Sequence, residues 1–123
     1  MNKVILDTNF ILSCIRNKID FFEEIKFMGL DIIIPKQVIL EIERITKSKK
    51  KLRFREEAQI ALKLLKENKF RKIDLKRKNV DKAIIQYAEK NTNLVIATLD
   101  KEIKNKTKNL KLVIRGKKKL EVI

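Results

Sequence analysis

Short apolar runs alternate along this chain with longer stretches of helical periodicity, and that alternation restricts the fold more than any other feature. The runs cover residues 4–6 (Val-Ile-Leu), 31–34, 70–75, 94–98 and 112–114. Each is bounded by polar residues and is too brief for a buried helix, so each reads as a buried strand. Between them, apolar residues return every three or four positions. Residues 10–16 and 20–28 form two such patterns, with Gly29 placed where a left-handed residue would stop the second. Pro35 opens the next, its fixed φ suited to a first helical turn, and Val38, Ile39, Ile42 and Ile45 follow at helical spacing. A fourth pattern runs over 55–68. A fifth starts near Asn79 and carries Val80, Ala83, Ile84, Tyr87 and Ala88 on one face. This order predicts one α/β domain over residues 1–123, with a mainly parallel five-stranded sheet between helices. At 123 residues there is material for one core.

What the chain lacks narrows its chemistry. It contains no histidine and one cysteine, Cys14. Imidazole acid–base catalysis, Ser-His-Asp and Cys-His pairs, Cys-rich zinc sites and internal disulfides are therefore excluded. Cys14 lies among Ile11, Leu12 and Ile15, the setting of a packed and inert thiol. Any hydrolytic chemistry must run on carboxylates. The 31 Lys and Arg against 16 Asp and Glu give a formal charge of +15. A Lys- and Ile-rich proteome would produce the same balance, but clustered cations on a small protein also fit a polyanionic partner, nucleic acid first. The apolar run before Asp7 has only three residues, too few for a signal-peptide core, and no later run would span a bilayer. A cytoplasmic protein with no membrane contact is expected.

Four acids stand at the ends of strands or on the adjoining helices. Asp7 follows the 4–6 run directly, at the carboxyl end of a strand, where open α/β sheets bind ligands. Asp100 repeats the arrangement after the 94–98 run, and Thr98, two residues earlier, points the same way along the strand. Either Asp would equally serve as a helix N-cap. Glu41 lies about 40° round the helix from Ile45 and about 60° from Val38, which places it at the border of the buried face. Its simplest structural role is an ion pair with Arg44. Asp81 falls in the first turn of its helix, where a carboxylate suits the positive helix end. Brought together, the four would repel, and a hard cation such as Mg²⁺ or Mn²⁺ would resolve the conflict with all-oxygen ligands. Two basic stretches, 47–55 with Lys49, Lys50, Lys51 and Arg53, and 101–119 ending in Lys117 and Lys118, are solvated loops or RNA contacts. The first is expected to be a connection between helices.

The segments Val4-Ile5-Leu6-Asp7-Thr8-Asn9, Val38-Ile39-Leu40-Glu41-Ile42, Val80-Asp81-Lys82-Ala83-Ile84-Ile85-Gln86-Tyr87-Ala88 and Ile96-Ala97-Thr98-Leu99-Asp100 together resemble the PIN-domain family. The resemblance spans nearly the whole chain and is most specific at Asp7-Thr8-Asn9 and Thr98-Leu99-Asp100. It implies a three-layer α/β/α domain with a twisted parallel sheet. It also implies a divalent-metal endoribonuclease with Asp7, Glu41, Asp81 and Asp100 as metal ligands and catalytic acids, and Asn9 and Thr98 as supporting polar groups. The opening and the ending Val113-Ile114-Arg115-Gly116-Lys117-Lys118 look most like archaeal PIN proteins of the rRNA-processing type, whose partner would be rRNA or its precursor. The nearest rival within the family is a VapC-like toxin with its antitoxin. From another class, the rival is an RNA-binding or assembly protein that keeps the fold without turnover. PIN relatives often form homodimers. Many processing-type relatives carry a second acid where this chain has Lys82, so a fifth carboxylate is missing.

Overall fold

A computed structural model describes residues 2–123; Met1, the first residue of the span expected to form the domain, lies outside them. Its elements are β1 (Lys3–Leu6), α1 (Thr8–Arg16), α2 (Phe21–Phe27), β2 (Asp31–Pro35), α3 (Lys36–Thr46), α4 (Leu52–Glu67), β3 (Arg71–Ile73), α5 (Val80–Lys90), β4 (Val95–Ala97), α6 (Lys101–Lys106), β5 (Lys111–Arg115) and β6 (Lys119–Val122). The sheet has six strands in the order β3-β2-β1-β4-β5-β6. Every neighbouring pair is parallel except β5 and β6, an antiparallel hairpin with Leu112 opposite Val122 and Ile114 opposite Leu120. The expected five strands are thus corrected to six. The strand missed is 119–122, where only Leu120 and Val122 are apolar and three lysines precede them. An edge strand with one covered face needs no continuous apolar run.

Helix boundaries follow local chemistry. Asp20 caps α2, accepting from Glu23 N at 3.1 Å, and Gly29 takes the left-handed φ of 78° that ends this segment. Pro35 closes β2 and supplies the N-cap of α3 with φ −63°. α4 starts at Leu52, so the basic connection expected over 47–55 is shorter and Arg53 lies on a helix. Right-handed crossovers put α1 to α4 on one face and α5 and α6 on the other. The packing agrees: α4 lies against both α1 and α3, and α5 against α6. Phe10, Ile33, Ile34, Ile84 and Ile96 are fully or almost fully buried between these layers. Cys14 is buried with them, and burial pushes its thiol up to about 12, as an inert core residue requires. No described helix is long and apolar enough to cross a membrane.

β1 is the strand where the chain changes direction. Leaving β1 it builds toward β2 and β3; leaving β4 it builds toward β5 and β6. The two connections part above the carboxyl ends of β1 and β4 and leave a crevice there. The opposite end is fastened by Asn109, which is buried and donates to Leu94 O and Asn91 O, both at 2.9 Å, and to Ala88 O at 3.4 Å. One amide thereby joins the end of α5 to the start of β4.

Asn109→Ala removes the side-chain donor from Leu94 O and leaves Ala88 O and Asn91 O with only the Asn91 and Leu94 amides, and is expected to cost about 1–2 kcal/mol in urea denaturation. Asn109→Asp, which cannot donate, should cost at least as much. A loss within ~0.5 kcal/mol, the range of ordinary surface changes, would remove this role from Asn109.

Candidate active site

Asp7, Glu41, Asp81 and Asp100 line one cleft of about 380 Å³, with Thr8, Asn9, Arg44, Ile45 and Lys50 completing its wall. The sheet sets the first contact. Asp7 N donates to Ala97 O at 3.0 Å, continuing the β1–β4 ladder by one step and bringing Asp7 beside Thr98. Thr98 is fully buried, and its hydroxyl donates to Asp7 Oδ2 at 3.0 Å while accepting from Asp100 N at 3.0 Å. Asp7 Oδ1 accepts from Thr8 N at 2.8 Å, which makes Asp7 the N-cap of α1. Asp100 Oδ1 accepts from Ile103 N at 2.9 Å and caps α6. Capping and cleft-lining therefore coexist in both residues.

Glu41 reaches the cleft from α3. It makes no ion pair with Arg44, correcting that expectation; its Oε1 accepts the Thr8 hydroxyl instead. Thr8 was given no role by sequence reasoning, although its place directly after a strand-end Asp, on the first helical turn, was the available signal. Asp81 is half-buried in the first turn of α5, behind the Asn79 cap that accepts from Lys82 N. Lys82 itself is exposed. Of the residues singled out for RNA contact, Lys50 joins the cleft wall. Lys49 and Lys51 are exposed on the same connection, and Arg53 places its guanidinium 4.8 Å from the Phe54 ring centre. Lys117 and Lys118 are exposed in the β5–β6 turn, at the same end of the sheet as the cleft.

The acids feel one another. Asp7 is 4% exposed, and burial, with smaller contributions from Asp81 and Glu41, raises its pKa to about 6 against the pull of Thr98 and Thr8. Asp81 is raised in the same direction, first by burial, then by Asp100 and Glu41. None of the four is in an ion pair among the described residues. Nor do three of them gather tightly enough to grip one ion as they stand. Spreading like charges round the cleft relieves their repulsion. The donor set still fits a hard divalent cation: all oxygen, negatively charged, and lacking nitrogen or sulfur.

In metal-free protein the native state holds protons on Asp7 that the unfolded chain has released between pH about 4 and about 6. Stability is therefore lost as pH rises through that window, on the order of 2–3 kcal/mol from Asp7. Denaturation against pH is expected to show this slope in wild type and a flatter one in Asp7→Asn; parallel curves would refute the burial argument.

Residues 4–117 match the family model of the PIN like domain. Ribonuclease VapC4 of Methanocaldococcus jannaschii is 34% identical over 128 residues, covering 99% of this chain and 97% of that protein. Among solved structures, the PIN domain endonuclease Utp24 superposes with a TM-score of 0.78 at 26% identity, over 98% of this chain and 90% of that one. VapBC2 from Rickettsia felis, bound to a DNA fragment from its promoter, superposes with a TM-score of 0.56 over 92% of this chain and 99% of that one. At 17% identity that is a likeness of fold. The strand order, the acids at the carboxyl edge and a match reaching from β1 into the β5–β6 turn converge on one assignment: this chain belongs to the PIN-like domain family.

Proposed function

We propose that the chain is a divalent-metal-dependent endoribonuclease that hydrolyses RNA phosphodiester bonds in the cleft of Asp7, Glu41, Asp81 and Asp100. The observation that carries this reading is the convergence of four acids, none of them ion-paired among the described residues, in one cleft of a chain with formal charge +15. Surplus cations are at hand, yet these carboxylates stay unneutralised by them. The names of the 34% identical ribonuclease and of the Utp24 endonuclease support the same chemistry.

Mg²⁺ or Mn²⁺, held by these four residues, would supply an acidified water and neutralise charge on the phosphate. The chain's own groups do the positioning. Thr98 and the Thr8 amide fix both oxygens of Asp7, each of which keeps a lone pair for a further contact. The Thr8 hydroxyl orients Glu41, and the Ile103 amide holds one oxygen of Asp100. Asn9, exposed in the cleft wall, would serve as a supporting polar group beside the acids. Lys50, with Lys49, Lys51, Arg53, Lys117 and Lys118 farther out, attracts the RNA backbone.

For the target, the sequence resemblance to processing-type proteins favours rRNA or its precursor. The relation to VapC4 supports a second reading, a toxin ribonuclease held by an antitoxin. Growth arrest on expression, relieved by a co-expressed neighbouring gene, would decide for the toxin.

Cleavage of single-stranded or loop RNA should stop in excess chelator and return with Mn²⁺ or Mg²⁺. Asp7→Asn is expected to lower kcat about 100-fold or more with RNA affinity nearly unchanged, since the amide keeps the shape and loses the charge. Full activity in chelator would sink the metal mechanism.

Metal binding to the native state alone adds about 2.7 kcal/mol at roughly a hundred times Kd. Thermal melts with and without Mn²⁺ should show a rise in wild type that shrinks or vanishes in Asp100→Asn, although Asn caps α6 nearly as well. An equal rise in both proteins would take Asp100 out of the metal site.

A further inference from the structure

A second and larger cleft of about 560 Å³ opens beside the acidic one, and the two share Glu41 and Arg44 as a common wall. Its far side is the connection between β3 and α5, where Lys76, Arg77 and Lys78 stand in succession, all exposed. This loop is held in shape. Gln37, one turn before Glu41 on α3, donates from Nε2 to Asp74 Oδ1 at 2.7 Å and accepts from Leu75 N at 3.2 Å through Oε1. Asp74 Oδ1 also accepts from Lys76 N at 2.8 Å. Lys76 takes a left-handed φ of 58°, a conformation that non-glycine residues rarely adopt without outside support. The Gln37–Asp74 clamp gives that support and turns three consecutive cations toward the cleft.

We propose that this basic cleft is the substrate track of the enzyme: single-stranded RNA flanking the cleaved phosphodiester runs across Arg44 and lays its phosphates against Lys76, Arg77 and Lys78, with Gln37 as the positioning residue that holds the loop. The proposal rests on the ribonuclease reading of the adjoining acids and adds the route by which the substrate reaches them. Two features favour RNA over an acidic protein. The cleft adjoins the four carboxylates through Glu41, and an acidic polypeptide crossing from one cleft to the other would be repelled there, whereas RNA need meet the acids at only one phosphate neutralised by the metal. The cations are also consecutive on a fixed loop, which suits the regularly spaced charges of a nucleic-acid backbone.

Binding of a short unstructured RNA, measured in chelator so that nothing is cleaved, tests this directly. The triple substitution Lys76→Gln, Arg77→Gln and Lys78→Gln is expected to weaken binding about 10–100-fold near 0.1 M salt and to lower the log–log salt slope by about 2. The charge-matched control Lys63→Gln, Lys66→Gln and Lys90→Gln, away from both clefts, should leave the slope nearly intact. Gln37→Leu should weaken binding several-fold at every salt concentration with the slope kept, because the cations remain but must be ordered on contact; a purely structural role for Gln37 would leave affinity alone. Equal slope losses in the two triple variants would overturn the track. So would poly-glutamate binding as tightly as RNA and being lost in the same variant. If wild type fails to cleave but the triple variant still changes the slope, the nuclease reading falls and, with it, the cleft's role as a substrate track, leaving an RNA-binding cleft. If cleavage is intact and the slope does not move, the track alone falls.

Discussion

The hydroxyl of Thr98 is the junction on which the cleft depends. Its single proton goes to Asp7 Oδ2 and it accepts the Asp100 amide, so one buried oxygen joins the end of β1, the end of β4 and the start of α6. The register makes this possible: Val4 lies opposite Val95 and Leu6 opposite Ala97, which brings the residues after Leu6 and Ala97 level with each other. Slipping β4 by one residue would turn Thr98 to the other face of the sheet and leave Asp7 buried with one donor fewer. An ionised carboxylate at 4% exposure is costly without such donors. The strands' apolar pattern thus fixes a register, and the register fixes the site.

Charge is distributed to the same end. The chain carries almost twice as many basic as acidic side chains, yet its ion pairs among the described residues, Arg16–Glu57, Lys106–Glu102 and Arg115–Glu121, lie outside the cleft. Arg44 and Lys50 stand on the cleft wall without pairing with the acids. A negative centre ringed by positive surface attracts a polyanion over several ångströms and still leaves the carboxylates free for a small cation. Direct pairing would have neutralised the site.

The fold was legible because buried parallel strands and helical faces leave opposite periodicities in the sequence, and Val4-Ile5-Leu6 against Val38, Ile42 and Ile45 shows both. Strand β6 was not, since Leu120 and Val122 alternate with charged residues on an exposed edge. Three of the cleft acids were visible as strand-end or helix-start carboxylates, and Glu41 as a carboxylate at the border of a helix's buried face. Thr8 and Gln37 were not: a threonine next to an aspartate and a glutamine in a first turn have ordinary local explanations, and only the tertiary distances to Glu41 and Asp74 give them work. The Glu41–Arg44 pair failed for the same reason. Helical spacing reports which side chains can meet, and the Thr8 hydroxyl from another element was the stronger partner.

Helix α3 couples the two clefts. Gln37, Glu41 and Arg44 fall at spacings of four and three residues, hence on one stripe of one helix. The first holds the basic loop, the second enters the acidic cleft, and the third faces both clefts. Val38 and Ile42, fully buried, seat the same helix on the core, so the stripe cannot rotate without breaking that packing. In the ribonuclease reading, the spacing between the cleaved phosphate and the phosphates gripped beside it is then set by the helix that anchors the basic loop, and a substrate is accepted only where its backbone extends to match.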